Sequence, residues 1–271
     1  IDALAAALAE TGVTKGDRVA YLGENHPAFL ETLFATTSLG AVFVPLNTRL
    51  VPHEIAYALR DSGANTIIFS AVLEGLAVLA DKKLRSEHPD EPGVKTFVKV
   101  DDGTPVDYTK PDTMPEIHEY ETFMASTGQP GTVPHRDVAV ALEDPAIILY
   151  TSGTTGMPKG AVLLHQNMTW NSYNVLVDYD VVSTDVSMMI APMFHVAALG
   201  MGALPMLLKG ATLGLEPKFD PGRTLELIEK HGATAISGVP TTYQMICEHP
   251  DWDDTDISSL TKLTCGGSAV P

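Results

Sequence analysis

The stretch HPAFLETLFATTSLGAVFVPLNTRLVPHEIAYALRDSGANTIIFS, residues 26–70, decides the fold because it contains the same pattern twice. In each copy an amphipathic helix ends at a glycine, Gly40 or Gly63, and a short apolar strand follows within a few residues. Pro52 is well suited to be the first residue of the second helix. This alternation of helices and buried strands predicts an α/β fold.

The same pattern continues further along the chain. Leu225 and Ile228 lie about one helical turn apart before Gly232, and the strand-like run ATAISGV follows at residues 233–239. The run AIILY at residues 146–150 is apolar throughout, which is typical of a strand buried on both faces of a parallel sheet. We therefore predict two similar parallel-sheet α/β halves, packed together in a layered αβαβα arrangement.

A change in amino-acid composition separates the two predicted halves. Residues 101–143 are polar and are interrupted by five prolines, so we interpret them as a connection. The first half is then predicted at residues 1–135, including most of the connection, and the second half at residues 136–271.

The composition excludes several kinds of partner. The 271 residues are 45% hydrophobic and carry a formal net charge of -17, which would repel nucleic acid and anionic lipid surfaces. The two cysteines, Cys247 and Cys265, have no metal-ligand spacing, so a reducing compartment such as the cytoplasm is expected. The apolar run at residues 196–208 is too short to span a membrane and predicts a buried helix.

A second stretch, YTSGTTGMPKG at residues 150–160, concentrates glycines and hydroxyl groups directly after an apolar run. Turn glycines, among which we count Gly160, allow backbone N–H groups to converge on an anion, and Lys159 adds a positive charge. Polyphosphate is the ligand that suits this chemistry. A plain hairpin turn would need no such concentration of donors. The Walker pattern G-x-x-x-x-G-K-[ST] does not match, because two residues separate Gly156 from Lys159.

The longer stretch YTSGTTGMPKGAVLLH, residues 150–165, resembles the signature of the AMP-forming acyl-CoA synthetases, relatives of luciferases and of peptide-synthetase adenylation domains. Residues 12–50, 191–200 and 260–271 resemble other segments of that family, in the expected order. The resemblance identifies the chain as the amino-terminal portion of such an enzyme. The family would continue with a magnesium-binding motif, a ribose-binding aspartate and a carboxy-terminal domain, so the 271 residues alone are expected to be inactive.

The resemblance implies ATP-dependent activation of a carboxylic acid. The acid would attack the α-phosphorus of Mg-ATP, and coenzyme A would then capture the acyl-adenylate. A medium- or long-chain fatty acid is the expected substrate, on the overall resemblance and the apolar region 188–208. Aryl acids and amino acids stay alternatives, since one scaffold serves many acids. A phosphotransferase and a non-catalytic nucleotide-binding module are rival functions, and the oligomeric state is open, with a homodimer as one candidate.

The resemblance also assigns candidate site residues. Lys159 and His195 are the catalytic candidates, and Thr155 is a candidate magnesium ligand. The nucleotide-binding candidates are Thr151, Ser152, Gly153, Thr154, Thr155, Gly156, Lys159, Gly266, Gly267, Ser268 and Ala269. The acyl-pocket candidates are His195, Val239, Thr241, Thr242 and Tyr243.

Structural interpretations compete with several of these roles. His195 could simply start a helix, and Thr241 or Thr242 could cap one. Methionines can fill irregular gaps in a core as readily as they can line an acyl tunnel. The five methionines concerned are Met188, Met189, Met193, Met201 and Met206.

Overall fold

A computed structural model describes residues 1–101, 103, 114–125, 138–151 and 157–267. Helices and strands alternate along these residues, which confirms the predicted α/β class. The helices are α1 (Asp2–Glu10), α2 (Pro27–Ser38), α3 (Pro52–Ser62), α4 (Glu74–Glu87), α5 (Tyr120–Ala125), α6 (His165–Asp178), α7 (Leu204–Lys209), α8 (Pro221–His231) and α9 (Pro240–Cys247). The strands are β1 (Arg18–Leu22), β2 (Val42–Pro45), β3 (Thr66–Ser70), β4 (Thr96–Val100), β5 (Ile117–Glu119), β6 (Pro145–Thr151), β7 (Lys159–Leu164), β8 (Val186–Met189), β9 (Thr212–Leu215), β10 (Ala235–Gly238) and β11 (Lys262–Cys265).

The first sheet joins seven strands of the described chain in the order β5-β4-β3-β1-β2-β6-β7. Neighbouring strands are parallel except β6 and β7, which are antiparallel. The apolar run at residues 146–150 predicts parallel pairing, and β6 does pair in parallel with β2 but pairs antiparallel with β7, so the sheet is mixed. The cause is local, because the short connection from Thr151 to Lys159 allows only an antiparallel return, while a parallel crossover needs a dozen or more residues.

The second sheet joins four described strands in the order β11-β10-β8-β9, all of them parallel. The sequence predicts parallel sheets in both halves, and for this sheet the prediction is confirmed. Because the four strands run in one direction, the segments that follow them leave the sheet at the same edge.

The chain divides into two compact units. The first unit comprises residues 1–23 and 27–165, and the second unit comprises residues 24–26 and 166–271. The compact units differ from the halves predicted at 1–135 and 136–271, because β6 and β7 pair within the first sheet. The predicted halves stay a prediction about domain organisation.

Side chains of β1 alternate between the two faces of the first sheet. Leu22 joins an apolar cluster with Leu59 of α3 and Phe69 of β3 on one face. Tyr21 packs edge-on against Phe29 of α2, with ring centroids 5.2 Å apart, on the other face. Burial on both faces explains why residues 19–22 of this strand are all apolar or aromatic.

The end of α3 shows why a glycine stands there. Gly63 has a φ of 69°, a left-handed conformation that glycine adopts without strain. The Arg18 guanidinium donates to the carbonyl oxygens of Ser62 (2.5 Å) and Gly63 (2.9 Å). A Cβ atom at Gly63 would collide with that guanidinium. The helix end predicted from the sequence is confirmed.

The apolar run predicted as a buried helix is helical from residue 196 to 209, with a π-helical section at Ala198–Ala203 before α7. Leu199 is buried, whereas Val196 and Leu208 are about half exposed. The run is therefore buried on one face only. No described helix is both long enough and apolar enough to cross a bilayer.

A buried ion pair joins the amino ends of three strands of the second sheet. Asp185, just before β8, accepts 2.8 Å hydrogen bonds from the Lys262 ammonium and the Thr234 hydroxyl. Its second carboxylate oxygen accepts the Val182 N–H at 2.8 Å. Burial acts to raise the pKa of Asp185, but these hydrogen bonds together outweigh burial and hold the pKa below its ordinary value.

Candidate functional site

The glycine- and hydroxyl-rich stretch forms the connection between β6 and β7 in the first unit. Thr151 ends β6 and Lys159 begins β7, and the antiparallel register pairs the two residues directly. The Thr151 hydroxyl donates to the Lys159 carbonyl oxygen at 3.4 Å. The stretch therefore connects two paired strands of the first sheet. The predicted ligands Ser152, Gly153, Thr154, Thr155 and Gly156 lie outside the described residues.

The Lys159 side chain is exposed at the start of β7. In the part of the chain that the structure describes, its ammonium group forms no ion pair with a carboxylate. An exposed cation without an internal partner can attract an anionic ligand without first losing a salt bridge.

Gly160 has a different role from the one the sequence suggests. It lies within β7, directly opposite Tyr150, so its interpretation as a turn residue is wrong. A Cβ atom there would come within 2.8 Å of Ile148 Cγ2. Ile148 therefore leaves no room for a side chain at Gly160. Tyr150 packs on Tyr57 of α3, with ring centroids 6.4 Å apart, and its hydroxyl donates to Asp61 at 2.8 Å. Burial and then that hydrogen bond raise the pKa of Tyr150.

The other described candidates follow the carboxyl ends of β8, β10 and β11 in the second unit. These strands are neighbours in the sheet, and Gly238 of β10 lies opposite Cys265 of β11. Val239 follows β10, and a Cβ atom on Gly267 would lie 3.5 Å from its Cγ1 atom. The structure thus brings the predicted acyl-side and adenine-side segments together. Ligands of open α/β sheets bind outside the carboxyl ends of strands.

The glycines after β11 leave room at this edge. The Gly266 N–H donates to the Gly238 carbonyl at 3.2 Å, and in the described part of the chain no atom outside its immediate neighbours lies within 4 Å of where a Gly266 Cβ would be. Gly267 has a φ of 79°, which disfavours any residue with a side chain. Ser268 and Ala269 lie outside the described residues.

His195 lies in the segment that leads from β8 into the helical run. Its N–H donates to the Pro192 carbonyl at 3.1 Å, and its own carbonyl accepts the Leu199 N–H at 3.2 Å. The exposed imidazole stands 4.6 Å from the Phe194 ring, centroid to centroid. His195 therefore does start a helical segment, as the structural interpretation has it, and its side chain is also presented at the surface.

The acyl-pocket candidates on α9 differ in their surroundings. The Tyr243 hydroxyl donates to the Thr264 carbonyl at 2.7 Å, and burial raises its pKa to about 12. Tyr243 therefore ties α9 to β11, and only its ring could border a ligand. Thr242 packs against Gly238, and Thr241 is exposed. Val239 is the N-cap of α9, so neither threonine caps the helix.

The methionines near His195 are mostly core residues. The buried ones are Met188, Met189, Met193 and Met206. Met201 and Met206 line a cavity of about 20 Å³, which holds roughly one water molecule and no acyl chain. These observations favour packing for this group. Among the described residues, no cluster of three or more His, Cys, Asp or Glu could hold a metal ion.

Sequence reasoning missed Asn25, which is only 3% exposed and belongs to the second unit. Its amide nitrogen donates to the carbonyl oxygens of Met189 (3.1 Å), Ala191 (2.9 Å) and Glu216 (3.1 Å). Its amide oxygen accepts the Met193 N–H at 2.8 Å. No signal in the sequence singles it out, because an asparagine just before a proline-started helix is typical of ordinary turns.

Comparisons with known proteins place the chain in context. Residues 1–271 match the family model described as AMP-binding enzyme. The chain is 45% identical over 269 residues to a feruloyl-CoA synthase from Amycolatopsis sp, covering 99% of the chain and 48% of that protein. It is 35% identical over 271 residues to an indoleacetate–CoA ligase from Aromatoleum aromaticum, covering 100% of the chain and 49% of that protein.

A third relative, a long-chain-fatty-acid–CoA ligase from Thermus thermophilus, is 33% identical over 262 residues, covering 96% of the chain and 44% of that protein. The chain spans about half the length of these relatives. Among solved structures, the N-terminal domain of FACL13 from Mycobacterium tuberculosis superposes with a TM-score of 0.80 at 27% identity, over 100% of this chain and 61% of that one.

Proposed function

The chain belongs to the AMP-binding enzyme family, and we propose that the complete gene product activates a carboxylic acid with ATP and transfers the acyl group to coenzyme A. One observation carries the proposal: antiparallel β6 and β7 hold Thr151 and Lys159 as a direct pair at the two ends of the glycine- and hydroxyl-rich connection. An exposed lysine at that position suits the binding of the phosphates of a nucleotide.

The chemistry requires that negative charges be brought together. A carboxylate must approach the α-phosphorus of a triphosphate, and pyrophosphate must then leave with its developing charge. Fixed N–H and hydroxyl dipoles with the Lys159 ammonium would stabilise that charge in the transition state. Mg²⁺, for which we keep Thr155 as a candidate ligand, would share this load when bound.

The carboxyl edge of the second sheet is our proposed acyl and adenine side. His195 and Val239, with Gly266 and Gly267, follow adjacent strands there. Coenzyme A would react with the adenylate formed at this edge. We propose that the side chain of His195 contacts the acid, since it is exposed in the segment after β8.

For the acid, we propose a hydrophobic aryl acid ahead of the fatty acid that the sequence favours. The support is the order of identity among the relatives, 45% for the feruloyl-CoA synthase and 33% for the long-chain-fatty-acid–CoA ligase. The cavity of about 20 Å³ in the second unit adds nothing in favour of a long acyl chain. A fatty acid stays the second candidate.

The test is acid-dependent exchange of labelled pyrophosphate into ATP by the complete gene product, with ferulate, indoleacetate, octanoate, palmitate and phenylalanine. We expect exchange with the aryl acids, and AMP with acyl-CoA as products after coenzyme A is added. ADP as the product would favour a phosphotransferase. Nucleotide binding without exchange on any acid would favour a non-catalytic module.

A further inference from the structure

Asn25 forms hydrogen bonds to the backbone segment that leads to His195. We propose that Asn25 is a positioning residue, which holds residues 189–193 in place and through them fixes His195 at the carboxyl edge of the second sheet. The inference rests on the acyl-side role proposed above for His195. The hydrogen bonds of the Asn25 side chain all go to backbone groups and none of them to the His195 imidazole.

Both the nitrogen and the oxygen of the Asn25 side-chain amide are hydrogen-bonded to backbone groups. The two amide hydrogens face three carbonyl oxygens, so at least one hydrogen is shared, and the amide oxygen accepts the Met193 N–H. Because Asn25 is 3% exposed, water cannot readily replace these bonds. Removal of the side chain would leave several buried backbone groups without their partner.

The hydrogen bonds of Asn25 fix every second residue of the segment and so restrain the course of its backbone. Asn25 binds Met189, Ala191 and Met193, which are spaced by two residues. Met193 is fully buried, and His195 follows it after one residue. A shift of the backbone at Met193 would therefore move His195 directly.

The third acceptor ties this segment to a second strand end. The Asn25 amide nitrogen donates to the carbonyl of Glu216, just after β9, as well as to the carbonyls of Met189 at the end of β8 and Ala191 just after it. A backbone bond from the Glu216 N–H to the Met189 carbonyl at 3.2 Å closes the same junction. The path to His195 is thus anchored to two neighbouring strands, which is what a positioning group needs.

A purely structural role for Asn25 predicts lower stability without a selective change in function. The matched control for that role is Thr234→Val, because Thr234 bonds Asp185 and Val186 at the opposite, amino edge of the same sheet. Both variants remove buried hydrogen bonds of the second unit. Only Asn25→Ala removes the hold on the His195 segment.

The first measurement is amide hydrogen exchange of the complete gene product, which needs no activity. In the unmodified protein the Met193 amide must be protected, and rapid exchange there would overturn the proposal at once. We expect Asn25→Ala, or the milder Asn25→Ser if alanine prevents folding, to speed exchange in peptides covering 189–197 at least tenfold. Thr234→Val should leave those peptides unchanged, and equal acceleration by both variants would contradict a local role.

The second measurement is pyrophosphate exchange with the acid and ATP varied in turn. We expect Asn25→Ala to lower kcat/KM for the acid by roughly tenfold to hundredfold, as small misplacements of active-site groups do, with the KM for ATP changed less than twofold. In a His195→Ala background the same change should add less than threefold. Multiplicative losses would show that Asn25 does not act through His195.

The two measurements separate the inference from the proposed function. If no acid supports pyrophosphate exchange in the unmodified protein, the proposed function fails. Faster hydrogen exchange of residues 189–197 in Asn25→Ala would still establish that Asn25 positions the segment. If pyrophosphate exchange requires an acid and His195 but is unaffected by Asn25→Ala, the inference fails and the proposed function stands.

Discussion

Asp185→Ala tests whether the buried ion pair holds the amino edge of the second sheet together. The change removes the acceptor of the Lys262 ammonium, the Thr234 hydroxyl and the Val182 N–H. Lys262 and Asp185 are 19% and 3% exposed, so the ammonium would be left without its carboxylate and with little access to water. Breaking a buried pair in this way costs about 3–5 kcal/mol, and the residual exposure of Lys262 favours the lower end.

The expected loss is therefore about 3 kcal/mol in the free energy of unfolding. Lys262→Met should cost less, about 1.5 kcal/mol, because the carboxylate keeps two of its donors. The double variant Asp185→Ala/Lys262→Met should lose less than the sum of the single losses, because its second change removes the stranded ammonium.

Urea unfolding followed by tryptophan fluorescence is the assay. The chain has two tryptophans, Trp170 and Trp252, and both belong to the second unit, so the signal reports that unit alone. A loss near 3 kcal/mol corresponds to a fall of roughly 1.5 M in the urea midpoint at a slope of about 2 kcal/mol per molar. A loss below about 1 kcal/mol for Asp185→Ala, or strict additivity in the double variant, would refute the reasoning.

The same pair sets a pH dependence. The pKa of Asp185 is held below its ordinary value in the folded chain. Its contribution is therefore fully present above the unfolded pKa of about 3.9 and is lost as the pH falls through the lower folded pKa. We expect the stability difference between the unmodified chain and Asp185→Ala to be constant from about pH 5 to 8 and to shrink below about pH 4. A difference that grows on acidification would contradict this sign.

The remaining predictions concern the candidate site. Lys159→Ala should slow adenylate formation by at least tenfold, while thioester formation from a supplied adenylate is spared and the surface control Lys209→Ala is unchanged; equal loss in both half-reactions would contradict the assignment. His195→Ala should change kcat/KM for the acid more than kcat/KM for ATP in steady-state kinetics. A change confined to the KM for ATP would show that His195 has only a structural role. Tyr243→Phe should lower the free energy of unfolding in urea by about 1 kcal/mol, since the partly buried hydroxyl no longer donates to the Thr264 and Ile236 carbonyls. Gly267→Ala should cost about 1–2 kcal/mol because its φ of 79° is left-handed; no loss would show that the turn relaxes.

Much of the architecture could be predicted from local patterns. A helix that ends at Gly63 or Gly232, followed by a short apolar strand, is a signal contained in neighbouring residues, and both helix ends lie where it predicts them. The concentration of glycines and hydroxyl groups before Lys159 is likewise a local signal, and the stretch that contains it lies between two strands. Such features are readable because backbone conformation is chosen largely by the residues at and beside a position.

The sequence by itself determined the α/β class, the helix–glycine–strand units around Gly63 and Gly232, and the family resemblance through the stretch at residues 150–165. Tertiary structure alone decided that β7 returns antiparallel, that Gly160 makes room for Ile148, and that the Tyr243 hydroxyl is bonded within the fold. It also revealed Asn25, which binds residues more than 160 positions away along the chain. The physical reason is common to these cases, because a hydrogen bond or a close contact depends on which distant segments the packing brings together, and a local pattern holds no record of that partner.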